Sequence, residues 1–108
     1  MKNPIAQAKK WFALRGTKRS KDWPEARREH LRREPWCRGC GAATGLEVHH
    51  IEPFHAAPWR ELDPKNLLTL CENIGRQCHL RKGHLGNWKN INPNILKTKL
   101  APRPLSFS

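Results

Sequence analysis

The chain has no tyrosine, a single methionine, three phenylalanines and only nine acidic residues among 108. Each shortage excludes something. With 37% apolar residues and a mean hydropathy of −0.82, one domain of this length has a small core, and such cores usually need a metal or disulfides as well. Long hydrophobic runs are missing. The longest, such as Leu67-Leu68-Thr69-Leu70-Cys71, are strand-sized and far short of the ~20 residues that span a bilayer. Met1-Lys2-Asn3-Pro4 leads into no apolar stretch of a secretory signal. The expected location is the cytoplasm, with no membrane partner. There is no internal repeat and no heptad run to serve as a dimerisation element, so a monomer is expected. The scarcity of acids leaves 21 Lys and Arg against nine Asp and Glu, a net charge of +12 and a pI near 10.4. The bases run along the whole chain, which favours a polyanionic partner, most commonly nucleic acid.

Residues 1–21 form a basic arm in which Lys9-Lys10 and Lys18-Arg19 flank Trp11-Phe12 and Leu14. A short helix, an arm that orders on DNA and a disordered leader all fit it. Residues 22–34 read as a helix. Asp22 or Ser20 is placed to cap it, Pro24 suits the first turn, Glu25 and Glu29 precede Arg32 and Arg33 in the order the helix dipole favours, and Pro35 ends it. Trp23, Ala26, His30 and Leu31 are expected inward, leaving Arg27, Arg28 and Arg32 on the polar face. Gly39 and Gly41 suit a tight turn by adopting positive φ. Leu46-Glu47-Val48-His49 alternates as a short strand. Residues 52–65 read as a loop with Pro53, Pro58 and Pro64. Leu67–Leu70 is a second strand, and residues 78–89 are a helix interrupted by Gly83 and Gly86. Residues 22–92 make the domain, and 93–108 read as a loose tail.

The four cysteines are spaced C-x2-C (Cys37, Cys40), then thirty residues, then C-x6-C (Cys71, Cys78). Each half can offer two thiolates to one ion, and four thiolates make a closed tetrahedral zinc site. A closed site has no position for substrate, so this zinc is structural. It is expected to clamp the start of the first strand to the start of the last helix. A reducing compartment argues against disulfides.

His49 and His50 are adjacent on a strand, where neighbouring side chains point to opposite faces. One can bind a metal while the other does proton chemistry. On a regular helix His79 lies about 100° from Cys78, so it can face a second ion. His84 lies about 140° from His79 and joins it only if the helix bends, as at Gly83. His30 and His55 have no such company and read as surface or core residues.

Together these residues resemble the HNH endonuclease family. The resemblance runs over residues 37–84: Cys37-x2-Cys40, Leu46-Glu47-Val48-His49-His50-Ile51-Glu52-Pro53, Asn66-Leu67-Leu68-Thr69-Leu70-Cys71 and Cys78-His79. Trp23-Pro24, Pro35-x-Cys37 and Gly83-His84-Leu85-Gly86-Asn87-Trp88 are similar to small phage-type members. The resemblance implies an α+β, ββα-metal fold with an N-terminal helical extension. It implies a nuclease that hydrolyses duplex DNA, leaving 5′-phosphate and 3′-hydroxyl ends. His50 would be the general base. His49 and His79, with His84 ranked below them, would hold a catalytic divalent ion. Asn66 would fix the loop that aims His50. The ion would be manganese or magnesium, or else nickel, cobalt or zinc. Arg27, Arg28, Arg32, Arg81 and Lys82 are the expected DNA contacts, and phage packaging or other DNA-processing proteins are possible partners. Two departures stand out. His49 takes a position where many members have Asp, which favours softer ions than magnesium. Six residues, Glu72–Gln77, separate the last two cysteines where many relatives have two.

One active site per chain cuts one strand at a time, so nicking with weak sequence preference is expected. A zinc-stabilised DNA-binding module without catalysis shares the cysteines and the charge but gives no reason for His49, His50 and Asn66. An RNA-directed protein would show exposed aromatics for base stacking. With five tryptophans and no tyrosine, most tryptophans are expected in the core.

Overall fold

The computed structural model describes residues 19–103. The expectations for Lys9-Lys10, Trp11-Phe12 and Leu14 lie outside the described residues. Helix α1 spans Trp23–Arg33. Asp22 occupies its N-cap, but no side chain caps it; the Asp22 amide instead donates to Ser20 Oγ at 3.1 Å. Pro24 sits in the first turn, where a missing N–H costs nothing. Of the residues expected inward only His30 is fully buried, while Trp23, Ala26 and Leu31 are half-buried. Glu34 ends the helix, its amide bonded to the His30 carbonyl at 2.8 Å.

Strands β1 (Leu46–His50) and β2 (Leu67–Cys71) form one antiparallel pair, with His49 opposite Leu68 and His50 opposite Leu67. All five β2 residues are buried, because α1 and the segment after Cys78 both pack on the pair. Glu34 fastens α1 to β2. Its Oε1 accepts from the Thr69 amide at 2.8 Å, its Oε2 from Arg38 at 3.0 Å, and its carbonyl from Thr69 Oγ1 at 2.8 Å. Burial alone would raise the Glu34 carboxyl, but His30, the Thr69 amide and Arg38 outweigh burial and hold it below the ordinary carboxylate range.

The core gathers Cys37, Ile51, Leu68, Leu70, Cys71, Cys78 and Ile95. Three of these seven are cysteines, so the interior is built around sulfur as much as around hydrocarbon. Ile95 corrects the expectation of a loose tail from residue 93: it is 0% exposed. The segment is tied down on both sides of it. Asn92 Nδ2 donates to the Lys82 carbonyl at 2.8 Å, and Ala101 exchanges bonds with Arg38 at 2.6 and 3.0 Å.

The helix expected over 78–89 is also corrected. Its regular part is a short π-helical turn, His79–Gly83. Leu85 and Gly86 then take positive φ of 54° and 85°, a left-handed conformation that ends helices. The His84 and Gly86 amides both close on the Leu80 carbonyl. Trp36 is the only buried tryptophan among the described residues; Trp23 and Trp59 are half-buried and Trp88 is exposed. The expectation that most tryptophans serve the core is therefore corrected too. In so small a domain there is not enough interior to hold them.

Candidate metal centres

The turn after α1 delivers Cys37 and Cys40, the last position of β2 delivers Cys71, and Cys78 immediately precedes the π turn. Their sulfurs lie within 4.8 Å of one another, and no disulfide joins them. The Cys40 and Cys71 sulfurs are 3.7 Å apart. Zn–S bonds of about 2.3 Å in a tetrahedron set sulfur–sulfur edges of about 3.8 Å, so the spacing fits zinc. Gly39 permits the close approach. A Cβ there would sit 2.6 Å from Cys78 Sγ, and this missing atom, not the positive φ expected of Gly39, is what the turn requires. Positive φ falls on Gly41 instead, at 85°.

The electrostatics also ask for a cation. Burial pushes the Cys37 thiol up, and burial together with neighbouring thiols pushes Cys78 up further. Burial would raise Cys40 as well, but the Ala42 amide and the Arg76 guanidinium bring it down to about 7. The Gly39 and Cys71 amides both point at Cys37 Sγ, at 3.2 and 3.3 Å. Sulfurs so crowded do not all ionise without a metal among them. The knot does not reach the start of β1 as expected. It joins the turn after α1 to the end of β2 and to the π turn.

The long Cys71–Cys78 spacing is absorbed by a turn in which Arg76 and Gln77 both close on the Asn73 carbonyl, while Asn73 Nδ2 holds the Thr44 carbonyl at 2.9 Å. The chain then returns in time for Cys78 to face the knot.

On the other side of β1, His49, His79 and His84 bring ligand nitrogens within 4.8 Å of one another. Their ring centroids form a near-equilateral triangle of 5.0–5.1 Å edges. A regular helix would keep His79 and His84 apart. The π turn, with its i→i+5 winding, brings residues five apart toward one face, so His84 stands on equal terms with His79. Gly83 allows the closeness, because a Cβ there would meet the His49 ring at 3.0 Å.

Each ring is prepared as a ligand. His84 Nδ1 lies 2.9 Å from the Asn90 carbonyl. A carbonyl only accepts, so Nδ1 carries the proton and Nε2 keeps its lone pair. His79 Nδ1 is held by Glu72 Oε1 at 3.1 Å, the kind of carboxylate support that orients metal-binding histidines. His49 Nε2 is buried with no hydrogen-bond partner, an orphaned nitrogen of the kind a metal satisfies. Burial, then the neighbouring His79, His84 and His50, pushes His49 down to about 3, so it stays neutral and available. The residues therefore fit a divalent ion held by three imidazoles.

His50 faces the same cleft of about 400 Å³, whose walls also include His49, His79, His84, Arg19, Phe54, His55 and Trp88. Its Nε2 lies 2.9 Å from the Glu61 carbonyl, so Nε2–H donates and Nδ1 is the basic nitrogen. Burial, aided by the charge of Arg19, lowers its pKa against the opposing pull of the Glu61 carbonyl. The Trp23 ring packs 4.5 Å from it. Asn66 is fully buried and does not line the cleft. Its Oδ1 accepts from the Glu52 amide at 2.7 Å, and its Nδ2 donates to the Glu52 and Arg60 carbonyls at 3.0 and 3.1 Å. It thereby closes the loop between the strands.

The expected DNA contacts are spread out. Arg27 pairs with Glu47 at 3.2 Å, Arg28 with Glu25, and Arg32 with Glu29 at 2.6 Å. Arg81 reaches the Gly75 carbonyl at 3.4 Å, and Lys82 the Gly39 carbonyl at 3.3 Å. Exposed ion pairs of this kind contribute little to stability. Sequence reasoning missed Arg19, His55 and Trp88 on the cleft wall, and the buried Glu61 behind His50 and Arg19.

Two antiparallel strands, a helix and a π turn carrying a closed thiol knot beside an open cluster of imidazoles define a small α+β fold of the ββα-metal kind. Residues 37–85 match the family model of the HNH endonuclease, and the chain carries an HNH endonuclease domain over that span. No curated protein and no solved structure was found to match the chain. Among the described residues, no helix is long and apolar enough to cross a membrane.

Proposed function

We propose that the protein is a divalent-metal-dependent endonuclease that hydrolyses phosphodiester bonds of duplex DNA, acting as a monomer and nicking one strand at a time. The observation that carries this reading is the shared cleft. A neutral His50, with its Nδ1 lone pair open, lines the same cavity as the three imidazoles. A DNA-binding module that only needed zinc for folding would have no use for this second constellation.

His50 takes the proton of the attacking water at Nδ1 while its Nε2–H remains on the Glu61 carbonyl, which fixes the ring through the transfer. The Trp23 ring keeps bulk water from one side. Asn66 holds the loop that supplies Glu61, so it acts through position and not by contact with the phosphate. His49, His79 and His84 hold the divalent ion, which when bound supplies charge relief at the phosphate and at the leaving oxygen. Three imidazole ligands favour manganese, cobalt, nickel or zinc over magnesium, which prefers oxygen ligands. The +12 charge gives sequence-independent affinity for the backbone.

The test is a time course on supercoiled plasmid without added metal and with manganese, cobalt, nickel, zinc or magnesium in turn. Open-circular DNA should accumulate first, and linear DNA only later as independent nicks fall opposite each other. Linear product from the start would overturn the monomeric nicking reading, because concerted cuts on antiparallel strands call for a two-fold dimer. No cleavage with any of the five ions would overturn the nuclease reading and leave the binding module.

A further inference from the structure

The cleft contains a cation that the three imidazoles and His50 do not explain. Arg19 stands on its wall with 51% of its side chain exposed. Its NH1 donates to Glu61 Oε2 at 3.2 Å, and the Ser20 amide takes the other oxygen at 3.0 Å. Its guanidinium lies 4.6 Å from the Phe54 ring centroid and 5.7 Å from that of Trp23.

An arginine that only anchored the chain would turn its head inward and use its fork on protein acceptors. Arg19 does so only in part: it gives one N–H to the buried Glu61 and keeps about half of its side chain exposed. A guanidinium carries five N–H donors in a planar fork, and among the described residues the Arg19 side chain gives one hydrogen bond, to Glu61. The rest of the fork remains on the cleft wall. Glu61 is 0% exposed, so its carboxylate is a fixed anchor for one edge of the guanidinium, and the Phe54 ring lies 4.6 Å away. The same Glu61 supplies, through its carbonyl, the acceptor for His50 Nε2–H. One buried residue thus sets the base and the cation together. A pre-oriented, half-exposed fork beside a cleft in a chain of this charge suits a phosphate better than any other common ligand.

We propose that Arg19 grips a phosphate of the bound nucleic acid inside the cleft, with Glu61 as its positioning residue. The proposal rests on the nuclease reading for its catalytic consequence, since the gripped phosphate would be the one under attack. Its binding consequence can be measured without any cleavage.

The binding arm uses a short fluorescent DNA duplex and the His50→Ala protein, followed by anisotropy across a salt series. Adding Arg19→Ala should lower affinity roughly tenfold at low salt and reduce the slope of log affinity against log salt by about one, the value for one phosphate contact. Arg19→Lys should keep the slope, because a lysine retains the charge. The catalytic arm uses the otherwise native chain with manganese. There Arg19→Ala should lower kcat about a hundredfold, and Arg19→Lys should recover only part of it, because a point charge does not reproduce the planar fork. Melting and zinc content of each variant establish that the fold is intact. An unchanged salt slope in Arg19→Ala overturns the proposal even if cleavage falls, since the residue would then act only on structure. A slope lost equally in Arg19→Lys overturns it as well. A native chain that never cleaves DNA refutes the nuclease reading instead, and the slope still decides the phosphate contact.

Discussion

The thiol knot and the imidazole cluster each bring ligand atoms within 4.8 Å of one another, but they sit in opposite surroundings. The knot supplies four ligands, lies in the core beside Leu68, Leu70 and Ile95, and receives backbone amides on Cys37. It has no open position. The cluster supplies three ligands on the wall of a cleft, backed by Glu72 and by the Asn90 carbonyl, and so leaves room for a reacting group. The number of ligands and the access around them separate a metal that folds the chain from one that can do chemistry. The two sites meet at Cys78-His79, where one residue faces the knot and the next faces the cleft.

The largest expected effect comes from breaking the knot. Cys71→Ser should abolish cooperative unfolding and drop the zinc content from about one per chain to near zero. Structural zinc contributes on the order of 10 kcal/mol to a small domain, as much as the typical net stability of a domain. Circular dichroism with elemental analysis checks this. A folded, metal-free chain would show that Ile95, Leu68 and their neighbours suffice without zinc.

The second prediction breaks the cluster alone. His79→Ala and His84→Ala should each lower cleavage by at least about a hundredfold while keeping the structural zinc and the melting transition. His50→Ala should lower turnover by about 10²–10⁴ with both metals retained. If His84→Ala proves harmless while His79→Ala is inactive, the π turn brings His84 near the ion without using it. Loss of the structural zinc in either ligand variant would mean that the two sites are not separable across Cys78-His79.

A third, smaller effect tests the support of the cluster. Glu72→Gln leaves all three imidazoles in place but removes the carboxylate behind His79. Weakening such a partner typically costs 10–100-fold in metal affinity or activity. Titrating manganese into activity assays should show a raised half-saturation with maximal rate largely preserved. An unchanged titration would show that Glu72 merely satisfies His79 when the ion is absent.

Much of this was legible in the sequence, and the failures share a cause. Cysteine spacing is a local signal tied to one chemistry, so the knot could be read directly. Alternation placed β1, and a short apolar run placed β2, each to within a residue. The ordered resemblance pointed to His49 and His79, which lie in the imidazole cluster, and to Asn66, which lies in the loop between the strands. What escaped depends on contacts distant in sequence. Ile95 is a single apolar residue in an irregular segment, with no periodicity to announce that it fills the core. The π winding of His79–Gly83 arises where Cys78 must face the knot while His79 and His84 face the cleft, a tertiary demand that helix propensity does not encode. Glu61 and Arg19 lie forty-two positions apart, and neither carries a motif.

The smallest effect concerns a residue that belongs to neither site. Glu34 joins α1 to β2 through the Thr69 amide and Arg38, and its carboxyl is held below the ordinary range. A carboxylate with a lowered folded-state pKa contributes stability that is fully present above its unfolded pKa and is lost as pH falls through the folded one. Glu34→Gln should therefore cost about 1.5–3 kcal/mol near neutral pH, the scale of hydrogen bonds to a charged group. The gap between native and variant should close as pH falls below the ordinary carboxylate value. Acid also protonates the thiolates of the knot, but that loss is common to both proteins and cancels in their difference. Denaturant melts at a series of pH values read the gap directly. Because Glu34 meets the knot only through Arg38, which supplies no ligand, and does not line the cleft, zinc content and cleavage rate at neutral pH should stay at native levels. A constant gap across pH would mean that shape, and not the charge of Glu34, holds α1 on the sheet. A matching fall in cleavage would mean that α1, through Trp23 against His50, carries strain from the helix into the cleft.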